Sequence, residues 1–392
     1  MDSRFSLAQF TRDLSSLSPQ EHGFTYVDTS RRPRAKGRLS GWILSAKDLN
    51  DVAGMPTSQG AKHRAYNATA SDAFIAALEE QGALIIGKSS TPELGLRVDT
   101  EPVDMPHPVN PLHPGATPGG SSGGAAVQVA RGLLRAAQGS DGGGSLRVPA
   151  AACGVVGFKR SGTDLGVSGF ITRTVADAAF LHDITPRPTP ARIGVLKQPL
   201  FAHTRVDPQH ARAVDEAAAQ LSAAGYPVEE IAPYPTADVT FESFRHIFTS
   251  RLAGMEAGEG YFEWVRQQGL KVSKRMLDDA LRHASGLPRL LADCWRVDAI
   301  ITPMLAYAPP PIGTFLRLDH EENFREQTRW SPWGSLFNVA HLPAISVPWS
   351  LSPGVSAPKA RTPATQAPIG VQVGSITLTD AQLLHLASSL HP

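Results

Sequence analysis

Two glycine- and serine-rich segments, residues 119–124 (GGSSGG) and 141–145 (DGGGS), restrict the fold of this chain more than any other feature. They flank residues 125–137, an alanine-rich stretch of good helical propensity. Flexible linkers also contain glycine runs, but linkers do not alternate with apolar stretches such as residues 151–158. Glycine permits positive φ and leaves the backbone unobstructed, so that successive N–H groups can converge on one point. The two segments therefore predict ordered loops around an oxyanion hole, with Ser145 beside it.

Short apolar runs alternate with amphipathic segments along the 392 residues, which predicts an α/β fold in one large domain with a largely enclosed sheet. The predicted strands are residues 42–46, 83–86, 193–196, 299–302, 344–347 and 370–373, and the predicted helices are residues 71–81, 125–137, 174–183, 208–224 and 379–390. We expect an N-terminal arm at residues 1–40 and the domain at residues 41–392. Within it, residues 241–340 are predicted to be mainly helical and to cover a pocket.

The charge balance points to a small or neutral partner. Lys and Arg number 37 against 36 Asp and Glu, and no window holds a basic run, so neither nucleic acid nor an anionic membrane is expected as a partner. The N-terminus lacks the pattern of a signal peptide, and no apolar stretch is long enough to cross a membrane. Cys153 and Cys294 are too isolated to predict a disulfide framework or a zinc site. These features predict a cytoplasmic protein, and the low charged fraction of 19% suggests a homodimer interface.

Two short motifs match well-known patterns in the wrong context. Residues 82–89 (GALIIGKS) fit the P-loop expression, but a helix is predicted before Gly82 and a strand occupies the middle positions. Residues 119–123 (GGSSG) fit the nucleophile elbow of α/β-hydrolases, but the proline-rich residues before them supply no strand. We therefore expect neither a nucleotide site nor an elbow.

Lys47 directly follows the apolar strand predicted at residues 42–46. A lysine at a strand end is usually exposed. If the fold encloses this one, desolvation lowers its pKa and leaves a neutral amine that can act as a general base.

Taken together, the motifs resemble the amidase signature family. The resemblance covers roughly residues 40 to 390 and lies in Lys47-Asp48, Gly54, Thr57, Gly87-Lys88, Pro92-Glu93, Asn110-Pro111, residues 119–124, residues 141–150 (DGGGSLRVPA), residues 153–159, residues 174–178 (TVADA), residues 298–303, residues 342–345 (LPAI) and residues 370–372 (GVQ). The two serine loops and their spacing are the specific part.

The resemblance implies a Ser-cisSer-Lys triad on an α/β domain with a mixed sheet. By motif position, Ser145 is the nucleophile that forms an acyl-enzyme, Ser121 bridges, and Lys47 is the base. Backbone N–H groups from Gly142, Gly143 and Gly144 to Ser145 itself would hold the oxyanion. Ser122 belongs to the same expected substrate site, and Asp141 and Arg147 are expected to support it. No metal or cofactor is implied.

Two departures from the family bear on substrate choice. Position 142 is glycine where many relatives carry Ile, Val or Thr, and the DGGGS version resembles the branch that hydrolyses cyclic aminohexanoate amides. The segment at residues 160–172 has fewer residues than the corresponding segment of relatives, which alters one wall of the acyl pocket. We expect hydrolysis of a small neutral or apolar amide, including aryl or cyclic ones. The alternatives are an amidotransferase A-type subunit that releases ammonia from glutamine and a non-catalytic homologue that binds in the pocket.

The middle region offers two further candidates. Its aromatic residues Trp264, Trp295, Phe315, Trp330 and Trp333 would either cover the pocket or pack in the core, and core packing is favoured. Residues 319–322 (DHEE) lack metal-ligand spacing and predict an exposed helix start.

Overall fold

A computed structural model describes residues 5–352 and 367–391 of the chain. In this part of the chain the strands are β1 (Phe24–Val27), β2 (Ile43–Lys47), β3 (Pro56–Thr57), β4 (Tyr66–Asn67), β5 (Leu84–Ser89), β6 (Ala136–Asp141), β7 (Val156–Lys159), β8 (Val167–Thr172), β9 (Ile193–Val195), β10 (Val228–Glu230), β11 (Ala299–Pro303), β12 (Ala344–Trp349) and β13 (Ile369–Ser375). The helices are α1 (Leu7–Ser15), α2 (Pro19–His22), α3 (Ala73–Glu80), α4 (Gly123–Ala130), α5 (Arg147–Cys153), α6 (Val175–Leu181), α7 (Pro208–Ala223), α8 (Ala237–Ser250), α9 (Gly260–Leu270), α10 (Lys274–Trp295), α11 (His320–Trp330), α12 (Leu336–Val339) and α13 (Asp380–Ser388).

The main sheet has eight strands in the order β10-β9-β11-β13-β12-β7-β8-β6. Strand β9 runs parallel to both β10 and β11, whereas the pairs from β11 to β6 are antiparallel. Alternate residues of β11 face different apolar clusters: Ala299 and Ile301 pack with α7 and α13, and Ile300 packs with α8 and α10. Because both faces are covered, the strands read as continuous apolar runs. The predicted α/β fold with a mixed, enclosed sheet is confirmed.

A second sheet, in the order β1-β5-β2, carries Lys47 at the end of β2. Strand β5 contains most of the P-loop-like sequence, and helix α3 precedes it, as the rejection of that motif predicted. The Lys88 amine of this strand is buried and pairs with Asp48 at 3.1 Å. Strand β1 belongs to the same sheet, and Phe10 and Phe24 are buried. Residues 5–40 thus lie as a strap against the rest of the chain.

The predicted helix at residues 125–137 is wrong in its second half. Helix α4 ends at Ala130, Gly132 adopts φ +74°, and residues 136–141 form strand β6, which pairs with β8 along its whole length. Alanine is a good helix former but also fits a fully buried edge position, and tertiary pairing decides between the two here. The correction matters because β6 supplies two residues of the site.

Most other predicted elements are confirmed with small shifts at their ends. Thr174 caps α6 and Thr379 caps α13, each accepting a backbone N–H in the first turn. Asp319 caps α11, so residues 319–322 form the predicted helix start. Residues 352–368 have the composition of a low-complexity surface loop, and most of this segment, residues 353–366, lies outside the described residues.

Candidate active site

Lys47 lies at the junction of the two sheets. Its backbone N–H donates to the Gln138 side chain of β6 at 2.8 Å, which links the end of β2 to the edge of the main sheet. Its amine donates to Ser121 Oγ at 2.7 Å and to Ser140 Oγ at 3.1 Å. The side chain has no solvent exposure. Burial lowers the pKa of Lys47 to about 7, although the negative charge of Asp141 opposes this shift.

The residues 119–124 form the turn that leads into α4, and the Gly120–Ser121 peptide bond is cis. A Cβ atom at Gly120 would overlap the carbonyl oxygen of Asp99, so only glycine fits this backbone approach. Ser121 is buried and faces Lys47, whereas the Ser122 hydroxyl donates to the Ser140 carbonyl at 3.3 Å. The two neighbouring serines therefore point to different partners.

Asp141, at the end of β6, organises the second serine loop. Its carboxylate accepts the N–H of Gly144 at 2.7 Å and that of Leu146 at 3.1 Å. The Arg147 guanidinium donates to both carboxylate oxygens, at 2.9 and 3.0 Å, and the Asn338 amide adds a further bond at 3.0 Å. Burial opposes the ionisation of Asp141, but Arg147 and these hydrogen bonds hold its pKa well below its usual range. The loop is thereby fixed from inside the protein.

The N–H groups of this loop fall into two sets. Those of Gly144 and Leu146 are taken by Asp141, whereas those of Gly142, Gly143 and Ser145 have no hydrogen-bond acceptor among the described residues. Gly142, Gly143 and Ser145 also line a cavity, which Gly144 does not. These three N–H groups are therefore the donors available at the cavity wall for the expected oxyanion hole.

This cavity has a volume of about 290 Å³ and contains all three residues of the expected triad. Its lining includes Lys47, Ser121, Ser140, Gly142, Gly143 and Ser145. The apolar lining residues are Leu49, Leu94, Leu96, Val98, Leu165, Phe241, Phe244, Phe248, Leu252 and Phe324, and polar lining residues further include Gln327, Thr328, Ser331 and Ser335. Of the four residues expected to bind substrate, Gly142 and Gly143 line the cavity, and Ser122 and Gly144 do not.

The aromatic wall comes from residues that the sequence did not single out. Phe241, Phe244 and Phe248 project from α8 and Phe324 from α11. None of the five aromatic residues named from the sequence lines the cavity, and Trp330, Trp333 and Phe315 are core residues, as the favoured interpretation predicted. The short link between β7 and β8 contributes Leu165 and Gly166 to the wall.

Sequence reasoning also missed the second partner of Lys47. Ser140 stands directly before Asp141 and beyond the predicted helix at residues 125–137, so no predicted element placed it beside Lys47. Asn338 was missed because its amide reaches Asp141 from a residue 197 positions away. The one available signal for Ser140 was its place next to the DGGGS motif.

Comparisons with known proteins bear on the fold and the family. The Amidase family model matches residues 24–191 and 255–384, more than half of the chain. The chain therefore belongs to the amidase signature family, and it is an amide-hydrolysing enzyme, as the resemblance predicted.

Individual relatives narrow the comparison. The 6-aminohexanoate-cyclic-dimer hydrolase of Pseudomonas sp. (strain NK87) is 28% identical over 424 residues, covering 91% of this chain and 83% of that protein. A solved structure of 6-aminohexanoate cyclic dimer hydrolase complexed with substrate superposes with a TM-score of 0.83 at 25% identity, covering 99% of this chain and 93% of that one. The A-type subunit of the glutamyl-tRNA(Gln) amidotransferase from Thermotoga maritima gives a TM-score of 0.81 at 23% identity, covering 99% and 91% of the two chains, and shares the fold.

Among the described residues, no helix combines the length and apolar character that crossing a membrane requires.

Proposed function

We propose that this enzyme hydrolyses a small carboxamide with an apolar body through an acyl-enzyme on Ser145. The observation that carries the proposal is the 2.7 Å contact between the fully buried Lys47 amine and Ser121 Oγ, in the cavity that also contains Ser145. Burial lowers the pKa of Lys47 to about 7, so a large fraction of the amine is neutral near neutral pH.

In the proposed acylation step, the neutral Lys47 amine accepts the proton of the Ser121 hydroxyl, and Ser121 Oγ accepts the proton of Ser145. The Ser145 oxygen attacks the carbonyl carbon and forms a tetrahedral intermediate. When the C–N bond breaks, the proton returns along the same path to the leaving amine. Water then attacks the carbonyl carbon of the ester, and its proton is taken up along the same path. The ester C–O bond breaks, which releases the acid, and the proton returns to restore the Ser145 hydroxyl.

The free N–H groups of Gly142, Gly143 and Ser145 support the tetrahedral step. Each such donor contributes about 3–4 kcal/mol to transition-state stabilisation in serine hydrolases. The Asp141 network holds the loop in advance, so these donors need little rearrangement when charge develops on the carbonyl oxygen.

The apolar walls support the substrate class. Leucine and phenylalanine side chains make up much of the cavity lining, which favours an aliphatic, aryl or cyclic body over a strongly polar one. Because Gly142 has only Gly166 near the position of a Cβ atom, at 3.9 Å, the loop also leaves room above the catalytic groups.

The test is trapping of the acyl-enzyme with an anilide substrate. We expect the wild-type protein to release aniline, and an acid-quenched sample to carry the acyl mass on the peptide containing Ser145. Ser145→Ala should show neither. Turnover that survives Ser145→Ala, or an acyl group found on Ser121, would contradict the proposal.

A further inference from the structure

The charged side chains of the catalytic cavity are all cationic. They are Lys47, Arg97 and Arg251, and no aspartate or glutamate occurs among the described residues that line it. Phenylalanine and leucine side chains make up much of the lining, and a cation beside such a surface attracts anions more strongly than a cation in bulk water.

Two of these cations already have fixed partners. Lys47 is bound to Ser121 and Ser140. Arg97 is buried, its Nε lies 3.0 Å from the Asp99 carboxylate, and one of its terminal nitrogens donates to the Glu101 carbonyl at 2.6 Å. Neither side chain can reach a ligand without losing buried hydrogen bonds.

Arg251 differs in its surroundings. It follows α8 at the rim of the cavity, its side chain is 39% exposed, and it pairs with Asp164 in the link between β7 and β8. Asp164 is itself 65% exposed and does not line the cavity. Exposed ion pairs of this kind contribute little to stability, so a carboxylate that enters the cavity can replace Asp164 at low cost.

We propose that Arg251 binds a carboxylate at one end of the amide substrate, with Asp164 holding the guanidinium when the cavity is empty. The inference rests on the proposed function of the Ser145 site and narrows its substrate to an apolar body with one anionic end. The planar guanidinium matches a carboxylate with two parallel hydrogen bonds. Phe248 and Leu252 line the cavity beside it and lower the local dielectric, which strengthens such a pair.

The carboxylate can belong to the acyl half or to the amine half of the substrate. Three compounds distinguish these two positions. Pentananilide is neutral, the mono-anilide of glutaric acid carries the carboxylate on the acyl half, and 4-(pentanoylamino)benzoate carries it on the amine half. Binding to Ser145→Ala is measured by titration calorimetry, which needs no turnover. We expect one of the two anions to bind at least about tenfold tighter than pentananilide.

Adding Arg251→Met to Ser145→Ala should bring this ratio of dissociation constants to about one. Adding Asp164→Asn should increase the ratio, because it removes the competing carboxylate. The matched control is Arg192→Met, which breaks an exposed Arg192–Glu229 pair outside the cavity and should leave the ratio as it was.

The inference would be overturned if an anion still bound more tightly than pentananilide after Arg251→Met. Equal dissociation constants for all three compounds would overturn it as well. Hydrolysis of pentananilide by the protein with Ser145 intact tests the proposed function separately. Arg251-dependent binding without any hydrolysis would contradict only the proposed function.

Discussion

The Lys47 amine is fully buried, and its pKa falls from 10.5 to about 7 because burial disfavours the charged form. A lysine pKa that is lower in the folded than in the unfolded chain means that the unfolded chain binds the proton more tightly. The resulting destabilisation is full below pH 7, shrinks as the pH rises from about 7 to 10.5, and vanishes above that range. Burial of this amine therefore opposes stability near neutral pH.

At the residue scale we predict that Lys47→Met stabilises the protein while it abolishes activity. Replacing a buried charge by a side chain of similar length should raise the free energy of unfolding by roughly 1–4 kcal/mol at pH 7. The gain should be much smaller at pH 10, because most of the destabilisation that disappears between about pH 7 and 10.5 is already lost there. Urea denaturation at the two pH values measures it, and a variant less stable than wild type at pH 7 would contradict the argument.

A second prediction concerns Gly95, whose φ is +69° and whose Cβ position lies 3.1 Å from Ser121 Oγ and 2.9 Å from a Leu49 methyl group. Gly95→Ala should displace the bridging serine and slow acylation of Ser145 by about tenfold or more, since small misplacements of a reacting group are costly. Gly115→Ala is the control, because Gly115 has φ +80° but no atom within 4 Å of its Cβ position. The comparison isolates the contact with Ser121 from the backbone strain that both variants share. Equal acylation rates in Gly95→Ala and Gly115→Ala would show that the contact with Ser121 does not affect acylation.

The sequence located the two serine loops because glycines such as Gly120, where a Cβ atom would overlap the Asp99 carbonyl oxygen, mark backbone that a larger residue cannot replace. It could not locate their partners. Ser140 reaches Lys47 across 93 positions and Asn338 reaches Asp141 across 197, and no local pattern records such contacts. The boundary between α4 and β6 was missed for a related reason, since alanines suit both structures and pairing with β8 decides.

At the scale of elements, the turn from β6 into α5 depends on one buried ion pair. Asp141 and Arg147 are both fully buried and lie 2.9 Å apart. Strands β11, β12 and β13 were predictable because burial on both faces makes each a continuous apolar run. The turn from β6 into α5 has no such apolar pattern, because its conformation depends on the Asp141 carboxylate, which accepts backbone N–H groups.

We predict that Arg147→Met destabilises the protein by about 3–5 kcal/mol at pH 7, because it leaves the Asp141 carboxylate buried without its counter-charge. The pKa of Asp141 should then rise. Wild-type Asp141 stabilises the fold above its unfolded pKa and keeps most of this contribution at pH 4, because its folded pKa lies well below that. In the variant the raised pKa lets the carboxyl take up a proton as the pH falls, so the difference between the proteins should narrow toward pH 4. Thermal unfolding at pH 4 and 7 measures this. Arg192→Met serves as the exposed control, and a difference that stays constant with pH would contradict the assignment to Asp141.

At the scale of the whole molecule, the N-terminal strap and the catalytic base belong to one structure. Strand β1 pairs with β5, which pairs with β2, the strand that ends in Lys47. Phe10 is 1% exposed and stacks edge-on against Phe24. The low charged fraction that suggested a homodimer remains a prediction, which light scattering of the purified protein tests.

We predict that Phe10→Ala costs about 3–5 kcal/mol of stability, the usual range for truncating a buried aromatic side chain. Leu316→Ala, at a side chain that is 50% exposed, should cost far less. Guanidinium denaturation compares the two. Equal effects would mean that the N-terminal strap does not contribute to the core.

The central claim is that Lys47 deprotonates Ser145 through Ser121, and the pH dependence of Ser145 labelling by a fluorophosphonate tests it most directly. Because the neutral amine is the active form, the labelling rate should rise with pH, with a midpoint near the pKa of about 7, and level off above it. Lys47→Met should lower the plateau by about 10²–10⁴-fold and remove this midpoint. Labelling of Lys47→Met at the wild-type rate, or a wild-type rate that does not change between pH 5 and pH 9, would contradict the account.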